Sequence, residues 1–211
     1  NNKRKQLAEQ NQYPDFGGTI QVTLNGQYQT LELLQRALSN ENKTCVHFYP
    51  GSQMHMTMLY AHFPMEPNQY ANEYTMVGTL NDYLENITKS YISILKPMVF
   101  NFEKIEIIGK DKNFLVALYN PTQKKSDYQN NFVLKLGTNI FKDYPHAWFE
   151  FIEDPRFHIS LGKLKPDCTA LDIKMPTTKP TVKPFELKKG NVRVSIKGPT
   201  TKPYFKKVAG W

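Results

Sequence analysis

Two short segments of this 211-residue chain carry one pattern: Met54-His55-Met56-Thr57-Met58 and Phe157-His158-Ile159-Ser160-Leu161. Each reads apolar, His, apolar, hydroxyl, apolar. Residues two apart on a β-strand share a face, so His55 projects with Thr57 and His158 with Ser160, while the flanking apolar residues point the other way into a core. A single His-x-Ser/Thr is weak, because a lone His on a strand is more often structural. Two copies 103 residues apart, in a chain with five histidines, read as a pair. His47, His62 and His146 have no such frame and read as structural, with His62 near enough in sequence to reach the edge of a cleft.

Two imidazoles facing one cleft suit general acid–base chemistry near neutral pH, since an unperturbed imidazole titrates around 6.5. One neutral ring removes a proton while a protonated one donates, so the pair serves both sides of an in-line displacement at phosphorus. Thr57 and Ser160 add short neutral donors for the non-bridging oxygens of a phosphodiester. No metal and no other cofactor is expected. The acid cluster Glu150, Glu153, Asp154 lacks matched spacing, and two His alone make a poor catalytic metal site.

The elements that must position these residues are legible by period. Thr19 to Leu24 alternates and predicts a strand, and Asn25-Gly26 a turn. Leu31, Leu34 and Leu38 predict a helix. Thr44 to Tyr49 and Met54 to Phe63 read as strands. Val77, Leu80, Leu84, Ile87, Tyr91 and Ile94 predict a long helix that Pro97 stops. Val99 to Ile108 and Phe114 to Tyr119 form a hairpin, and Tyr128 to Phe141 a further helix. Strands are expected at Phe157 to Leu164, Val192 to Ile196 and Tyr204 to Val208, with a Pro/Thr/Lys-rich loop over 165–184. Strands too close together for crossovers pair antiparallel, so the fold class is α+β. Residues 1–18 read as a lead-in, frayed over 1–12, to a single domain spanning 19–208.

The chain carries 27 Lys and Arg against 19 Asp and Glu, a net charge of +8. From Lys163 to Lys207 there are 12 basic residues against 3 acidic, so the excess lies in the last quarter and points to a polyanion, nucleic acid first. No apolar run is long enough for a membrane span, and no membrane partner is expected. Cys45 and Cys168 are too few for a disulfide framework or a cysteine zinc site and are expected as free thiols in a reducing compartment. The start at Asn1-Asn2-Lys3, without Met, is expected to reflect trimming that removed any targeting signal. The sequons at Asn42 and Asn86 read as chance matches.

Paired His-x-Ser/Thr motifs on opposed strands resemble the signature of the 2H phosphoesterase superfamily. Asp154-Pro155-Arg156-Phe157-His158-Ile159-Ser160-Leu161, preceded by Phe151, resembles the second motif region of the U6 small nuclear RNA phosphodiesterase family. The hairpin over 109–119 and the closing segments around Lys189-Gly190-Asn191 and Tyr204-Phe205 resemble it too. The resemblance implies two pseudo-symmetric lobes with antiparallel sheets flanking a central cleft, one motif from each lobe. It implies a metal-independent 3′ to 5′ exoribonuclease acting as a monomer on the 3′ end of U6 RNA, in the nucleus or in a mitochondrion. The ribose 2′-OH attacks the adjacent phosphorus and leaves a 2′,3′-cyclic phosphate, which some members open to a monophosphate. His158 is implied as base and His55 as acid, with Thr57 and Ser160 holding the phosphate. Thr57 stands where animal members carry Ser. Ile152 stands where the family carries a base-stacking Tyr, which leaves Phe151 as the candidate stacking residue, with Lys163, Lys165 and Lys202 as further candidate RNA contacts. Two other readings use the same residues: a cyclic or 2′,5′-phosphodiesterase acting on other RNA ends or small oligonucleotides, and an RNA-binding module that grips phosphate without cleaving it.

Overall fold

Alternation in Thr19 to Leu24 and in Val192 to Ile196 puts β-branched residues on one side of two strands and polar ones on the other, and such strands pair edge to edge. In the computed structural model, which describes residues 2–24, 29–95, 98–150, 156–188 and 190–208, they do so within one curled antiparallel sheet of half-barrel shape. The chain runs through α1 (Asn2–Asn11), β1 (Asp15–Thr23), α2 (Gln29–Asn42), β2 (Val46–Phe48) and β3 (His55–Pro64). Then come α3 (Glu73–Tyr91), β4 (Val99–Ile108), β5 (Phe114–Pro121), α4 (Lys125–Tyr128) and α5 (Leu134–Asp143). It closes with β6 (Trp148–Glu150), β7 (His158–Leu164), β8 (Phe185–Glu186), β9 (Val192–Lys197) and β10 (Tyr204–Lys207). This is the α+β class that the element order predicts. Among the described residues no helix is long and apolar enough to cross a membrane.

Strand order is β10-β9-β1-β3-β7-β5-β4-β8. The two motif strands are the central neighbours, and they are bridged at one residue pair, Met56 opposite Ile159. Past it they part. The C-terminal half of β3 pairs with β6, and that of β7 pairs with β2. Each short strand lies just before one motif strand in sequence and pairs with the other. At Gly162 the approach of β2 is so close that a Cβ would sit 2.7 Å from Val46 Cγ1 and 2.8 Å from the His47 carbonyl oxygen, so only glycine fits there.

Both motif strands are bulged at the same place, three residues after the His. Gln21 faces Thr57 while Ile20 faces Leu59, which leaves Met58 extra; Val116 faces Ser160 while Leu115 faces Gly162, which leaves Leu161 extra. A bulge removes a residue from the ladder and flips the parity beyond it. Accordingly Tyr60 and His62 rejoin the face of His55 and Thr57, and Lys163 rejoins that of His158 and Ser160. The freed carbonyls find specific donors. The buried Tyr128 hydroxyl donates to the Met58 oxygen, while Tyr49 N–H and Gln35 Nε2 donate to the Leu161 oxygen at 2.9 and 3.0 Å.

Met54, Met56, Met58, Phe157, Ile159 and Leu161 all lie in the core, as the alternation requires. The long helix is α3, capped by Asn72, whose side chain accepts from the Thr75 N–H at 2.8 Å. Val77, Leu80 and Leu84 are buried and Ile87 and Tyr91 pack against the core; the Ile94 side chain, Pro97 and the Asn25-Gly26 turn lie outside the described residues.

Three expectations change. Residues 2–11 form helix α1 rather than a frayed lead-in. Its anchors are cationic, which an apolar period cannot reveal: Arg4 stacks 3.7 Å from the Phe141 ring and donates to the Pro145 carbonyl at 2.6 Å, and Lys5 lies 4.9 Å from the Trp148 ring. The short strands β6 and β8 escape the period reading because two or three residues show none.

Cys45 and Cys168, expected as free thiols, form a disulfide with Cα atoms 5.5 Å apart. Pairing of β2 with β7 causes this, since Lys165 N–H donates to the Cys45 carbonyl at 2.8 Å and the next turn brings Cys168 alongside. A reducing compartment, inferred from free thiols, loses its basis. The same loop is pinned by Asn42, a buried sequon residue whose amide donates to the Leu38 and Lys174 carbonyls and accepts from Lys174 N–H.

Two outcomes follow from this architecture. Tyr128→Phe strips the donor from a buried carbonyl and should cost about 1–3 kcal/mol in denaturant unfolding; an unchanged midpoint would show that the Met58 carbonyl has another donor. Cys45→Ser should cost about 2–5 kcal/mol and make stability insensitive to reductant, whereas the parent chain loses stability in dithiothreitol.

Candidate active site

The single bridge at Met56 and Ile159 decides where the motif side chains meet. Continuing that antiparallel register puts His55 across from Ser160 and Thr57 across from His158, on the face away from the core. Directly opposed side chains start about 5 Å apart and diagonal ones about 7–8 Å, so the two imidazoles stand on one diagonal with room for a phosphate between them.

The two rings are held alike. His55 Nδ1 lies 2.9 Å from the Gln53 carbonyl oxygen and His158 Nδ1 lies 2.7 Å from that of Arg156, in each case the residue two before. A carbonyl only accepts, so Nδ1 carries the proton in both rings and Nε2 is the working nitrogen, an acceptor when the ring is neutral and a donor when charged. Burial lowers the pKa of each below the ordinary 6.5, and positive neighbours lower it further: Arg193 and His158 act on His55, Arg156 acts on His158.

A hollow of about 420 Å³ opens beside His55 and Ser160, walled by Tyr49, Ser52, Gln53, Arg193 and Phe205. Arg193, on β9, stands opposite Gln21 on β1, which stands opposite Thr57 on β3, so the three form one row across the sheet. The row is bonded as well as aligned. Arg193 Nε donates to Gln21 Oε1 at 2.8 Å, Gln21 Nε2 donates to the Thr19 hydroxyl at 2.9 Å, and the Thr19 and Ser195 hydroxyls share a hydrogen bond of 2.6 Å. The guanidinium lies 4.4 Å from the Phe205 ring centroid.

Of the residues expected at the site, His55, Thr57, His158 and Ser160 come together. Lys163 and Lys165 do not reach this hollow. They wall a neighbouring one with His47, Lys112 and Tyr49, and Tyr49 is common to both. Lys163 Nζ lies 5.6 Å from the Phe114 ring, and Lys165 Nζ donates to the Lys43 carbonyl at 3.2 Å. Lys202 stands apart, in a third hollow with Tyr74 and Tyr204. Phe151 and Ile152 lie outside the described residues. Sequence reasoning missed Gln21, Tyr49, Arg193 and Phe205. Its one usable signal was polar residues alternating inside apolar strands, Thr19 and Gln21 in one and Arg193 and Ser195 in another; that these two strands adjoin is not written in either.

His62 lies outside the hollow beside His55, between the Asp15 and Glu150 carboxylates. Burial pulls its pKa down, and the hydrogen bond to Asp15 at 2.5 Å together with the Glu150 carboxylate 3.5 Å from Nε2 more than offset this, leaving it above the ordinary value. It stacks flat on Trp148 with centroids 3.7 Å apart. Compared with models of known protein families and with curated proteins, the chain matches none.

Proton NMR titration should therefore separate the three rings, with His55 and His158 titrating below 6.5 and His62 above it. Because the folded pKa of His62 is the higher one, its stabilisation is complete below the unfolded value and fades as pH rises through the folded one. The unfolding penalty of His62→Gln should then be largest in mild acid and shrink in alkali; a penalty independent of pH would mean the ring is held neutral.

Proposed function

We propose that this chain is a phosphodiesterase of the 2H type that acts at RNA 3′ ends, its two four-strand halves being the two pseudo-symmetric lobes. The observation that carries the reading is the pairing of His55 with Thr57 and His158 with Ser160 across one bridge, both rings held by Nδ1 with Nε2 left for chemistry. His158 Nε2 takes the proton of the ribose 2′-OH as that oxygen forms a bond to the adjacent phosphorus. The bond from phosphorus to the 5′-oxygen breaks, and His55 Nε2–H supplies the proton that oxygen needs. The products are a 2′,3′-cyclic phosphate end and a released nucleoside or oligonucleotide bearing a 5′-OH. Thr57 and Ser160 donate to the non-bridging oxygens. The scheme needs no metal, because the acid, the base and the oxyanion donors are all side chains.

Resemblance of the second motif region makes the 3′ end of U6 RNA in the nucleus the first substrate to try. One observation favours the same chemistry on other RNA ends or small oligonucleotides: the Cys45–Cys168 disulfide suits an oxidising compartment better than a nucleus.

A uridine-tailed RNA, with its 3′ terminus read by mass spectrometry, tests both. His55→Ala and His158→Ala should each lower cleavage about 10²–10⁴-fold, and EDTA should leave it unchanged. Since both rings titrate low, kcat/KM should peak on the acid side of pH 6.5. Undiminished cleavage by either variant sinks the reading, and RNA binding without cleavage by the parent chain would leave a phosphate-gripping module.

A further inference from the structure

Arg193 is a half-buried cation that no carboxylate among the described residues pairs with. Its Nε is committed to Gln21, and among the described residues the structure gives its two terminal nitrogens no carboxylate. Burial of such a group costs energy unless an anion or a full set of hydrogen bonds offsets it. The chain nonetheless spends three buried polar side chains on holding it. Gln21 is 4% exposed, Ser195 5% and Thr19 9%, and their hydrogen bonds form a single line that ends at the guanidinium. In that line the Thr19 hydroxyl accepts from Gln21 Nε2, which forces Gln21 Oε1 toward Arg193. The Phe205 ring backs the guanidinium, so the plane and the direction of its fork are both constrained.

The other half of the sheet has nothing equivalent. The position facing Ser160, as Gln21 faces Thr57, is Val116, and facing Val116 is Glu106, whose carboxylate is already paired with Arg156 at 2.6 Å. Among the described residues, an arginine held by such a hydrogen-bonded line is therefore found on one side of the crossing only, in the hollow shared by His55 and Ser160.

We propose that Arg193 is the anion ligand of this hollow, a preset fork that takes two oxygens of a nucleotide phosphate lying against His55 and Ser160, with Gln21 as its positioning residue. A planar guanidinium with both terminal nitrogens available matches two phosphate oxygens side by side, which a lysine cannot do. Bound phosphate also cancels the charge that disfavours protonation of His55, so His55 gains its proton when substrate is present. Phosphate binding by Arg193 stands on the geometry alone; that the phosphate belongs to a scissile RNA linkage rests on the reading above.

The test uses uridine 3′-monophosphate and inorganic phosphate as probes, with calorimetry for affinity and NMR for the His55 ring proton. The parent chain should bind both probes and shift that proton. Arg193→Gln should weaken uridine 3′-monophosphate about 10–100-fold, and in the free protein should raise the His55 titration midpoint, which a merely structural role would not do. Arg193→Lys keeps the charge without the fork and should recover only part of the affinity. Gln21→Leu should weaken binding while leaving the His158 midpoint in place. Failure of the parent chain to bind either probe overturns the proposal. So does Arg193→Gln binding within twofold of the parent with an unmoved His55 midpoint; if that variant misfolds by thermal melt, full affinity in Arg193→Lys and Gln21→Leu together overturns it. His158→Ala separates the two claims. If it still cleaves RNA while Arg193→Gln no longer binds nucleotide, the phosphodiesterase reading fails and the anion site stands. If it is inactive while Arg193→Gln binds and cleaves normally, the reverse holds.

Discussion

One backbone bridge, Met56 against Ile159, organises this molecule. Both side chains are fully buried, and they form the one ladder pair that joins the strands that carry them. Had they paired throughout, β2 and β6 would have no edge to join, and the sheet would be flatter and its cleft shallower. Because they diverge, each accepts the short strand that precedes the other, and the sheet curls around the parting. The motif side chains flank the one ladder pair that joins the two strands. A slip of one residue in either strand would turn its imidazole into the core and its apolar row into the cleft, so in each strand burial of Met56 or Ile159 and placement of His55 or His158 are one constraint.

The bulges at Met58 and Leu161 serve the same end. A strand with strict alternation over ten residues would carry the cleft face from Thr57 to Leu59 and from Ser160 to Gly162, apolar positions that face nothing useful. One extra residue in each strand flips the parity and brings Tyr60, His62 and Lys163 onto the cleft side instead. The cost is a buried carbonyl without a ladder partner in each strand. The fold meets it with a buried tyrosine in one case and with a backbone N–H and a glutamine in the other. Tyr128 therefore belongs to the support of the site although it lies wholly in the core.

What could be read from sequence follows the range of the forces involved. Parity is local, so the facing of His55, Thr57, His158 and Ser160 was legible, as were α3 from its stripe and the β4–β5 hairpin from its turn. Pairings across long separations were not. Nothing in Thr44 to Tyr49 says that it will lie beside residues 162–164, and the disulfide of Cys45 with Cys168, 123 residues on, depends on that pairing. Arg193 was missed for the same reason. Basic composition drew attention to the lysines of the C-terminal region, yet the cation that shares the hollow with His55 is an arginine aimed by a glutamine 172 residues earlier. Composition locates charge along the chain, and only strand order locates it in space.

That difference bears on how two nearly identical motifs could take the different roles proposed for them. General acid–base catalysis needs two groups of like chemistry in unlike protonation states at one pH. Here the motifs match in sequence, in bulge and in the carbonyl bonded to Nδ1, so nothing within them separates His55 from His158. The separation comes from the neighbouring strands. On the β1 and β9 side the row continues as Gln21 and Arg193, hydrogen-bonded and carrying a charge that no carboxylate among the described residues cancels; on the β5 and β4 side it continues as Val116 and Glu106, the latter paired with Arg156. His55 therefore stands beside an unpaired charge, which an anion in the hollow would cancel if the proposal holds, and His158 is buried beside a charge already balanced. A repeated motif supplies two equivalent rings, and under the proposed reading the strands two places away are what would make one an acid and the other a base.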